Sequence, residues 1–468
     1  MELKEKKGDI DYAQSPKDLP ENLRNPNGTD RCLNDRSLSG ADRCLSGADR
    51  SLSGADRCLS GAEGSGYKHT EIGLIPEDWD LKKLNLIGEI VTGSTPSTYN
   101  IGYWNGNIPW ITPTDITDSK DIFFGARSLT EQGFNQIRQL PKDTVLITCI
   151  ASIGKNAILR INGGCNQQIN AIIPNKHHSS EFVYYLIEGN KDYLRSLAGI
   201  TATPIISKKD FTDFIFSFPP LPEQQKIAEA LSDTDALIQS LKKLIAKKKD
   251  IKQGAMQELL SGKRRLEGFD GEWENVKLGE MLDYIQPTNF IVKSTEYSQT
   301  GNLPVLTAGK SFILGYTSED FGVFEAIPVI IFDDFTTASK FVDFRFKVKS
   351  SAMKILKLKS DQFNIRFVFE IMKMIVYPLG DHKRHWIGEY QKIEVFVPGV
   401  KEQTAIAQIL SDMDAEIEAL EKQVQKTELL KQGMMQELLT GRIRLIKPEA
   451  EKLEMVAEPT QNYKTHRP

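Results

Sequence analysis

Two long stretches of this chain repeat each other at one fixed offset. The run Glu223-Gln224-Gln225-Lys226-Ile227-Ala228, continuing through Leu231-Ser232-Asp233, recurs 179 positions later as Glu402-Gln403-Thr404-Ala405-Ile406-Ala407 and Leu410-Ser411-Asp412. Lys252-Gln253-Gly254-Ala255-Met256-Gln257-Glu258-Leu259-Leu260 matches Lys431-Gln432-Gly433-Met434-Met435-Gln436-Glu437-Leu438-Leu439 at the same offset. Roughly half of the aligned positions are identical, which chance does not produce. The chain is therefore built around two copies of one element.

Both copies read as helices. Apolar residues fall at Ile227, Leu231, Ile238, Leu241 and Ile245, and again at Ile406, Leu410, Ile417, Leu420 and Val424. Steps of three and four make the seam of a coiled coil. Pro219-Pro220-Leu221-Pro222 stops the preceding strand and suits a helix start, and Gly262 and Gly441 suit the ends. Each helix would run about 38 residues, roughly 57 Å. The first copy carries Lys242, Lys243, Lys247, Lys248 and Lys249, the second Glu416, Glu418, Glu421 and Glu428. That complementarity predicts ion pairs between the copies; two separately solvated helix faces are the alternative.

A globular stretch precedes each helix. Thr144–Thr148 and Phe214–Phe218 read as strands in the first and Pro328–Phe332 and Ala352–Leu358 in the second, with helical runs near Ser180–Leu197 and Asn364–Val376. From Arg345 to Lys359 basic and apolar residues alternate, as in a strand with one wet face. The two stretches share little identity beyond their openings, Ile75-Pro76-Glu77-Asp78-Trp79 and Gly271-Glu272-Trp273. The expected fold class is α/β (α+β), with two β-rich globules each followed by a long helix.

Composition excludes several classes. No apolar run reaches the roughly 18 residues of a membrane span, so a cytoplasmic protein with no membrane partner is expected. The five cysteines show no C-x-x-C spacing, which argues against a zinc ribbon or disulfide scaffold. A net charge of −4 argues against coating nucleic acid by global charge, but a local basic surface fits within it. Residues 30–62 repeat the heptapeptide Asp-Arg-Ser/Cys-Leu-Ser-Gly-Ala. With one Leu and one Gly per copy it lacks a paired seam, so a disordered tail is expected.

The chain resembles the DNA-specificity subunit of a Type I restriction–modification system. The resemblance rests on Pro219-Pro220-Leu221-Pro222-Glu223-Gln224, the Leu-Ser-Asp-x-Asp tracts at Leu231 and Leu410, and Lys-Gln-Gly-x-Met-Gln-Glu-Leu-Leu-x-Gly at Lys252 and Lys431. Gly93-Ser94-Thr95-Pro96-Ser97 and Tyr103-Trp104-Asn105-Gly106-Asn107 through Pro113 add to it, and coverage runs from about Tyr67 to Leu445. The resemblance implies a non-catalytic subunit with two target-recognition domains, 67–221 and 266–398, between tails at 1–66 and 447–468. Helical spacers at 222–265 and 399–446 would pair as an antiparallel coiled coil with pseudo-two-fold symmetry. Its implied partners are double-stranded DNA, two methyltransferase subunits and restriction subunits. No cofactor is implied for this chain; S-adenosylmethionine would sit in the methyltransferase. Because the globules differ, an asymmetric bipartite target is expected.

Candidate DNA-contacting residues are those whose side chains can read base edges or reach phosphate. In the first globule they are Thr95, Tyr103, Thr112, Thr114, Ser152, Lys155, Asn166, Gln167 and Gln168. In the second they are Thr307, Lys310, Thr336 and the run His382-Lys383-Arg384-His385. For each, a turn or a core hydrogen bond is the competing role. Asp333-Asp334 suits a cytosine amine, a metal or a strand-end turn. Ile227, Leu231, Ile238, Leu241, Ile406, Leu410, Ile417 and Leu420 are the candidates for helix pairing or partner binding.

An autonomous enzyme is the first rival reading. An amino-methyltransferase needs an Asn-Pro-Pro-aromatic tetrad to hold a flipped base, and Ser217-Phe218-Pro219-Pro220-Leu221 supplies neither the Asn nor the aromatic. His382 and His385 lack the glutamate of a zinc H-E-x-x-H site. A coiled-coil adaptor, or an inactive remnant without sequence-specific DNA binding, explains the helices equally well. It leaves open why matched helices would carry dissimilar globules.

Overall fold

Proline and glycine decide where the two long helices begin and end. The first, Leu221–Leu259, follows Pro220 and carries a proline in its first turn, where a missing N–H leaves no bond unmade. The second, Val400–Leu438, follows Gly399. Past each helix a glycine, Gly262 or Gly441, adopts a left-handed conformation with φ +72°, which a side chain would strain. The computed structural model describes residues 66–196, 198, 204–307, 311–377 and 385–446. All fall in one unit, Ser65–Pro468. The heptapeptide array and residues 447–468 lie outside the described residues.

The two helices are antiparallel. Lys242 pairs with Glu428 and Lys249 with Glu421, each at 2.7 Å, so residue numbers rise on one helix as they fall on the other. Ile238, Leu241, Ile417 and Val424 are buried along the seam, while Leu420 is only half-buried. Toward the ends, the helices enter the cores of the globules. Ile227, Ala228 and Leu231 pack with Leu438 and Leu439 in the first core. Ile406, Ala407 and Leu410 pack with Ala255, Met256, Leu259 and Leu260 in the second. Each globule thus sits on the start of its own helix and the end of the other.

The globules share the order of four strands in their large sheets, to which the first globule adds a fifth, Asp121–Ile122, parallel to Asn156–Leu159. In the first, the strands Gly88–Thr92, Ile169–Pro174, Thr144–Thr148 and Asn156–Leu159 lie side by side in that order, all antiparallel. In the second, Leu282–Ile285, Met353–Leu358, Val329–Asp333 and Ser339–Val342 do the same. Numbered along the chain, both orders read first, last, second, third. Beside each lies a small three-stranded sheet. Trp104–Ile111 is flanked by parallel Gly164–Cys165 and antiparallel Arg127–Leu129. Pro304–Leu306 is flanked by parallel Lys347–Val348 and antiparallel Ile313–Tyr316. A ten-residue helix, Ser180–Gly189 or Ile365–Met374, covers the large sheet, and Ser179 or Asn364 caps its start with a side-chain oxygen.

Low identity conceals this equivalence because burial, not residue identity, specifies a central strand. Thr144–Thr148 (TVLIT) and Val329–Asp333 (VIIFD) are buried at all five positions in both. The basic alternation from Arg345 to Lys359 is not one wet-faced strand. It is divided between Lys347–Val348 in the small sheet and Met353–Leu358 in the large one. Lys347 is fully buried and pairs with Glu319 at 2.9 Å; Lys354 is buried and reaches Gln286 at 2.9 Å. Among the described residues no helix is long and apolar enough to cross a membrane.

Candidate nucleic-acid interface

Antiparallel pairing returns the chain to the same end of a sheet at alternate strand ends. In the first globule Thr92 lies opposite Asn170, Ile169 opposite Thr148, and Ile147 opposite Asn156. The loops that follow Thr92, join Thr148 to Asn156, and precede Ile169 therefore emerge together. The small sheet adds a fourth: Asn166 N–H donates to Ile111 O at 3.0 Å, bringing Thr112–Asp115 alongside.

Hydrogen bonds brace these loops, mostly within each loop and once between two of them. The Thr95 hydroxyl donates to Gln167 Oε1 at 2.6 Å, and the Asn166 amide donates to Gln168 Oε1 at 3.1 Å. Asp115 accepts from Thr112, through its N–H at 2.8 Å and its hydroxyl at 2.6 Å, and from Ala126 N–H at 2.8 Å. Thr114 lies 2.8 Å from the Thr112 hydroxyl and is exposed. In the third loop the Thr148 hydroxyl donates to Ser152 O, and Gly154 N–H to Thr148 O at 3.0 Å, which leaves Lys155 exposed. Ser152 and Lys155 border a cleft of about 360 Å³ with Arg195 and Pro204. Eight of the nine first-globule candidates thus share one end. Tyr103 does not: it packs in the separate cluster of Trp104, Trp110 and Leu129.

The corresponding end of the second globule carries different chemistry. Lys349 N–H donates to Leu306 O at 2.8 Å, which places Thr307 where the first globule has Thr112. The turn after Val329–Asp333 holds Thr336, whose hydroxyl donates to Asp333 at 2.6 Å while Phe335 N–H donates to the same carboxylate at 3.0 Å. Of the three readings of Asp333-Asp334, the structure supports the strand-end turn, since both are buried. Asp334 accepts from Trp386 N–H at 2.9 Å. His385 corrects the expectation of a DNA-facing basic residue. It is buried, its N–H donates to Asp334 O at 3.0 Å, and its ring meets Tyr377 edge-on at 5.3 Å. Lys310, His382, Lys383 and Arg384 lie outside the described residues.

Beneath each loop-bearing sheet end sits a polar triad at matching positions. In the first globule the Thr92 hydroxyl donates to Asn170 at 2.7 Å, and the Asn170 amide donates to Cys149 Sγ at 3.2 Å. In the second, Lys354 donates to Gln286 and lies 3.8 Å from Asp334. Sequence patterns flagged Asp334 and the basic alternation holding Lys354, but missed Thr92, Asn170 and Gln286, which give no signal beside their apolar neighbours. They also missed Arg138, whose exposed guanidinium donates to Thr92 O at 2.7 Å, and Arg127, stacked 3.5 Å over Trp104. A lone arginine, whether in a loop like Arg138 or at the start of a short strand like Arg127, gives no local signal.

The surface offers groups suited to recognition. Its amides, hydroxyls and cations can pair with base edges and phosphates. Burial pushes the Cys149 thiol up to about 11 and the Cys165 thiol to about 12, so both stay protonated. Among the described residues no group of three or more His, Cys, Asp or Glu is placed to hold a metal ion.

Comparison with known proteins adds a family. The model of the Type I restriction modification DNA specificity domain matches residues 76–249 and again 270–430. The Type I restriction enzyme MjaIX specificity subunit of Methanocaldococcus jannaschii is 40% identical over 183 residues, 38% of this chain and 42% of the relative. The EcoR124I/EcoR124II specificity subunit of Escherichia coli is 45% identical over 148 residues, 31% of this chain and 36% of the relative. The alignments therefore span about two fifths of either relative. A crystal structure of a Type I restriction-modification system S subunit from M. genitalium has the same fold, with a TM-score of 0.54 and 16% identity over 77% of this chain and 96% of that one.

Proposed function

The chain belongs to the family of the Type I restriction modification DNA specificity domain, which matches it twice and over more than half its length, and from that premise we propose that it is a non-catalytic DNA-specificity subunit. It reads an asymmetric, bipartite target in duplex DNA and directs methyltransferase and restriction subunits to it. The observation that carries this reading is one fold presented twice with different side chains at the same sheet end. Thr95, Thr112, Thr114, Asn166 and Gln167 stand at that end of the first globule, Thr307 and Thr336 at that of the second.

The physical logic is symmetry. An antiparallel helix pair relates two globules by an approximate dyad, and duplex DNA has a local dyad of its own, so two half-sites about one helical turn apart face two readers. The globules over 67–221 and 266–398 act as target-recognition domains, and the helices between them fix the unread spacer. The complex contains two methyltransferase subunits, which carry S-adenosylmethionine; this chain holds no cofactor. The site of action is the cytoplasm, where the DNA is.

The test is to express the chain with the methyltransferase encoded beside it and to map methylated adenines across the host genome. A split, asymmetric motif that disappears when this chain is omitted is the expected result. An active methyltransferase in stable complex with the chain, but with no chain-dependent motif, would overturn the reading in favour of an adaptor or an inactive remnant.

A further inference from the structure

When the 179-residue repeat is laid over the dyad, four of the five ion pairs between the long helices fall into two kinds; the fifth, Lys248–Glu416 at 2.6 Å, has Thr427 and Leu237 at the equivalent positions and so no charged image. Lys252–Asp414 and Lys431–Asp235 are images of each other, because Lys252 is equivalent to Lys431 and Asp235 to Asp414. These two pairs would form in any antiparallel combination of the copies: first with second, first with first, or second with second. They set the register and are indifferent to partner.

Lys242–Glu428 and Lys249–Glu421 are also images of each other, but with their charges segregated. Lys242 is equivalent to Glu421 and Lys249 to Glu428. If two first helices paired in this register, Lys242 would face Lys249 of the other copy. If two second helices paired, Glu421 would face Glu428. Only the unlike combination is attractive at both positions. We infer that these four residues are a partner-selection device, which makes each half of the molecule pair with the other half and reject a second copy of itself. The device is needed because much of the rest of the interface is shared, although Lys248–Glu416, whose equivalents are Thr427 and Leu237, also favours the unlike pair. Leu259 and Leu438, Met256 and Met435, and Arg265 and Arg444 are the same residue types at equivalent positions, so apolar packing at the helix ends does not distinguish like from unlike.

Each pair is half-exposed, so each contributes modestly; the selectivity comes from replacing two attractions by two repulsions in every wrong combination. Like pairs are expected at or below about a tenth of unlike pairs.

The test uses the whole chain with a protease site inserted between Glu267 and Gly268, both exposed in the link behind the first helix. The folded protein is cut there, the pieces are carried together out of denaturant, and native mass spectrometry counts like and unlike pairs. Unlike pairs should dominate. Exchanging one charge on each helix, Lys242→Glu with Glu421→Lys, leaves net charge unchanged. It makes both unlike contacts repulsive and all like contacts attractive, so like pairs should rise at least about tenfold. Reversing all four residues should restore the original distribution. A statistical mixture from the unaltered pieces, or the same distribution from the exchanged ones, would overturn the inference. Should the pieces fail to refold, the uncut chain decides: the exchanged variant must unfold at lower urea than both the parent and the fully reversed chain, and equal midpoints overturn it.

Discussion

Arg444 lies 221 positions beyond Glu223, yet its guanidinium donates to both oxygens of that carboxylate, at 2.8 and 2.7 Å. At the other end of the helix pair Arg265 donates to both oxygens of Glu402, each at 2.7 Å. The end of each repeat therefore clasps the start of the other. Trp79 joins the first clasp by donating its indole N–H to Glu223 at 3.1 Å, and Asp78 accepts from Arg444 at 2.9 and 2.7 Å. The Tyr67 hydroxyl reaches Gly441 O at 3.0 Å, so the first described strand is tied to the turn after the last helix.

Removing one member of a buried charged pair leaves the other without compensation. Glu223 is almost fully buried, so Arg444→Ala should destabilise the protein by about 3 kcal/mol. Arg444→Lys, which keeps the charge but loses the two-pronged geometry, should fall between. Urea unfolding midpoints measure both; a loss under about 0.5 kcal/mol for the alanine variant would mean water replaces the pair.

Leu410 is fully buried where the second helix meets the second globule. Leu410→Ala should cost about 2–5 kcal/mol, whereas Leu429→Ala, at a 69% exposed site on the same helix, should change stability by about 0.5 kcal/mol or less. Thermal or chemical unfolding of the pair of variants checks the contrast, and similar losses for both would contradict the burial.

Burial, with help from Lys82 and His177, lowers the pKa of His178 from 6.5 to about 4. Its Nδ1 lies 2.8 Å from Asn175 Oδ1 and its ring packs edge-on against Phe218. The unfolded chain takes up this proton near 6.5 and the folded one only near 4. The stability is thus intact above the first value, is lost as pH falls between the two, and levels off below. The parent should lose on the order of 2 kcal/mol more across that window than His178→Gln. Parallel pH-dependent slopes for the two proteins would remove His178 from the account.

Under the proposed function, Lys155 and Gln167 should fail in different ways. Lys155→Ala should weaken DNA binding evenly across sequences and reduce the salt slope by about 1. Gln167→Ala should relax one half of the methylated motif and leave the other unchanged. Salt-dependent binding isotherms and genome methylation maps separate the two, and a change in both half-sites from Gln167→Ala would contradict the assignment of one globule to one half-site.

Cys149 and Cys165 are buried free thiols held protonated. In the native protein a maleimide should leave both unmodified, and both should react once urea unfolds the chain. Peptide mapping by mass spectrometry reads each site separately; fast native labelling of either would show that its strand opens.

Much of the frame is legible along the chain. The 179-residue repeat, the apolar seam and the segregated charges specify two helices that belong together, because helix periodicity is a local property written every three or four residues. The long-helix starts are marked by Pro220 and Gly399, and the small-residue turns by Gly262 and Gly441. The loop polarity around Thr95, Thr112 and Asn166–Gln168 is equally visible, since loops advertise themselves by composition.

Tertiary structure decided what local pattern does not carry. Strand order is a matter of which segments pair across long distances, so two globules with little identity proved to share the order of four core strands. Lys347 and Lys354 look like wet-face residues in sequence and lie buried against Glu319 and Gln286, because their partners come from loops and strands elsewhere in the chain. His385 sits beside a basic run yet turns inward against Tyr377 and Asp334, since Trp386 carries that segment into the core. The sequence determined two paired helices and a set of polar loops; only the fold determined that those loops open from one end of each sheet, because a site assembled from distant segments exists only once the strands between them have paired.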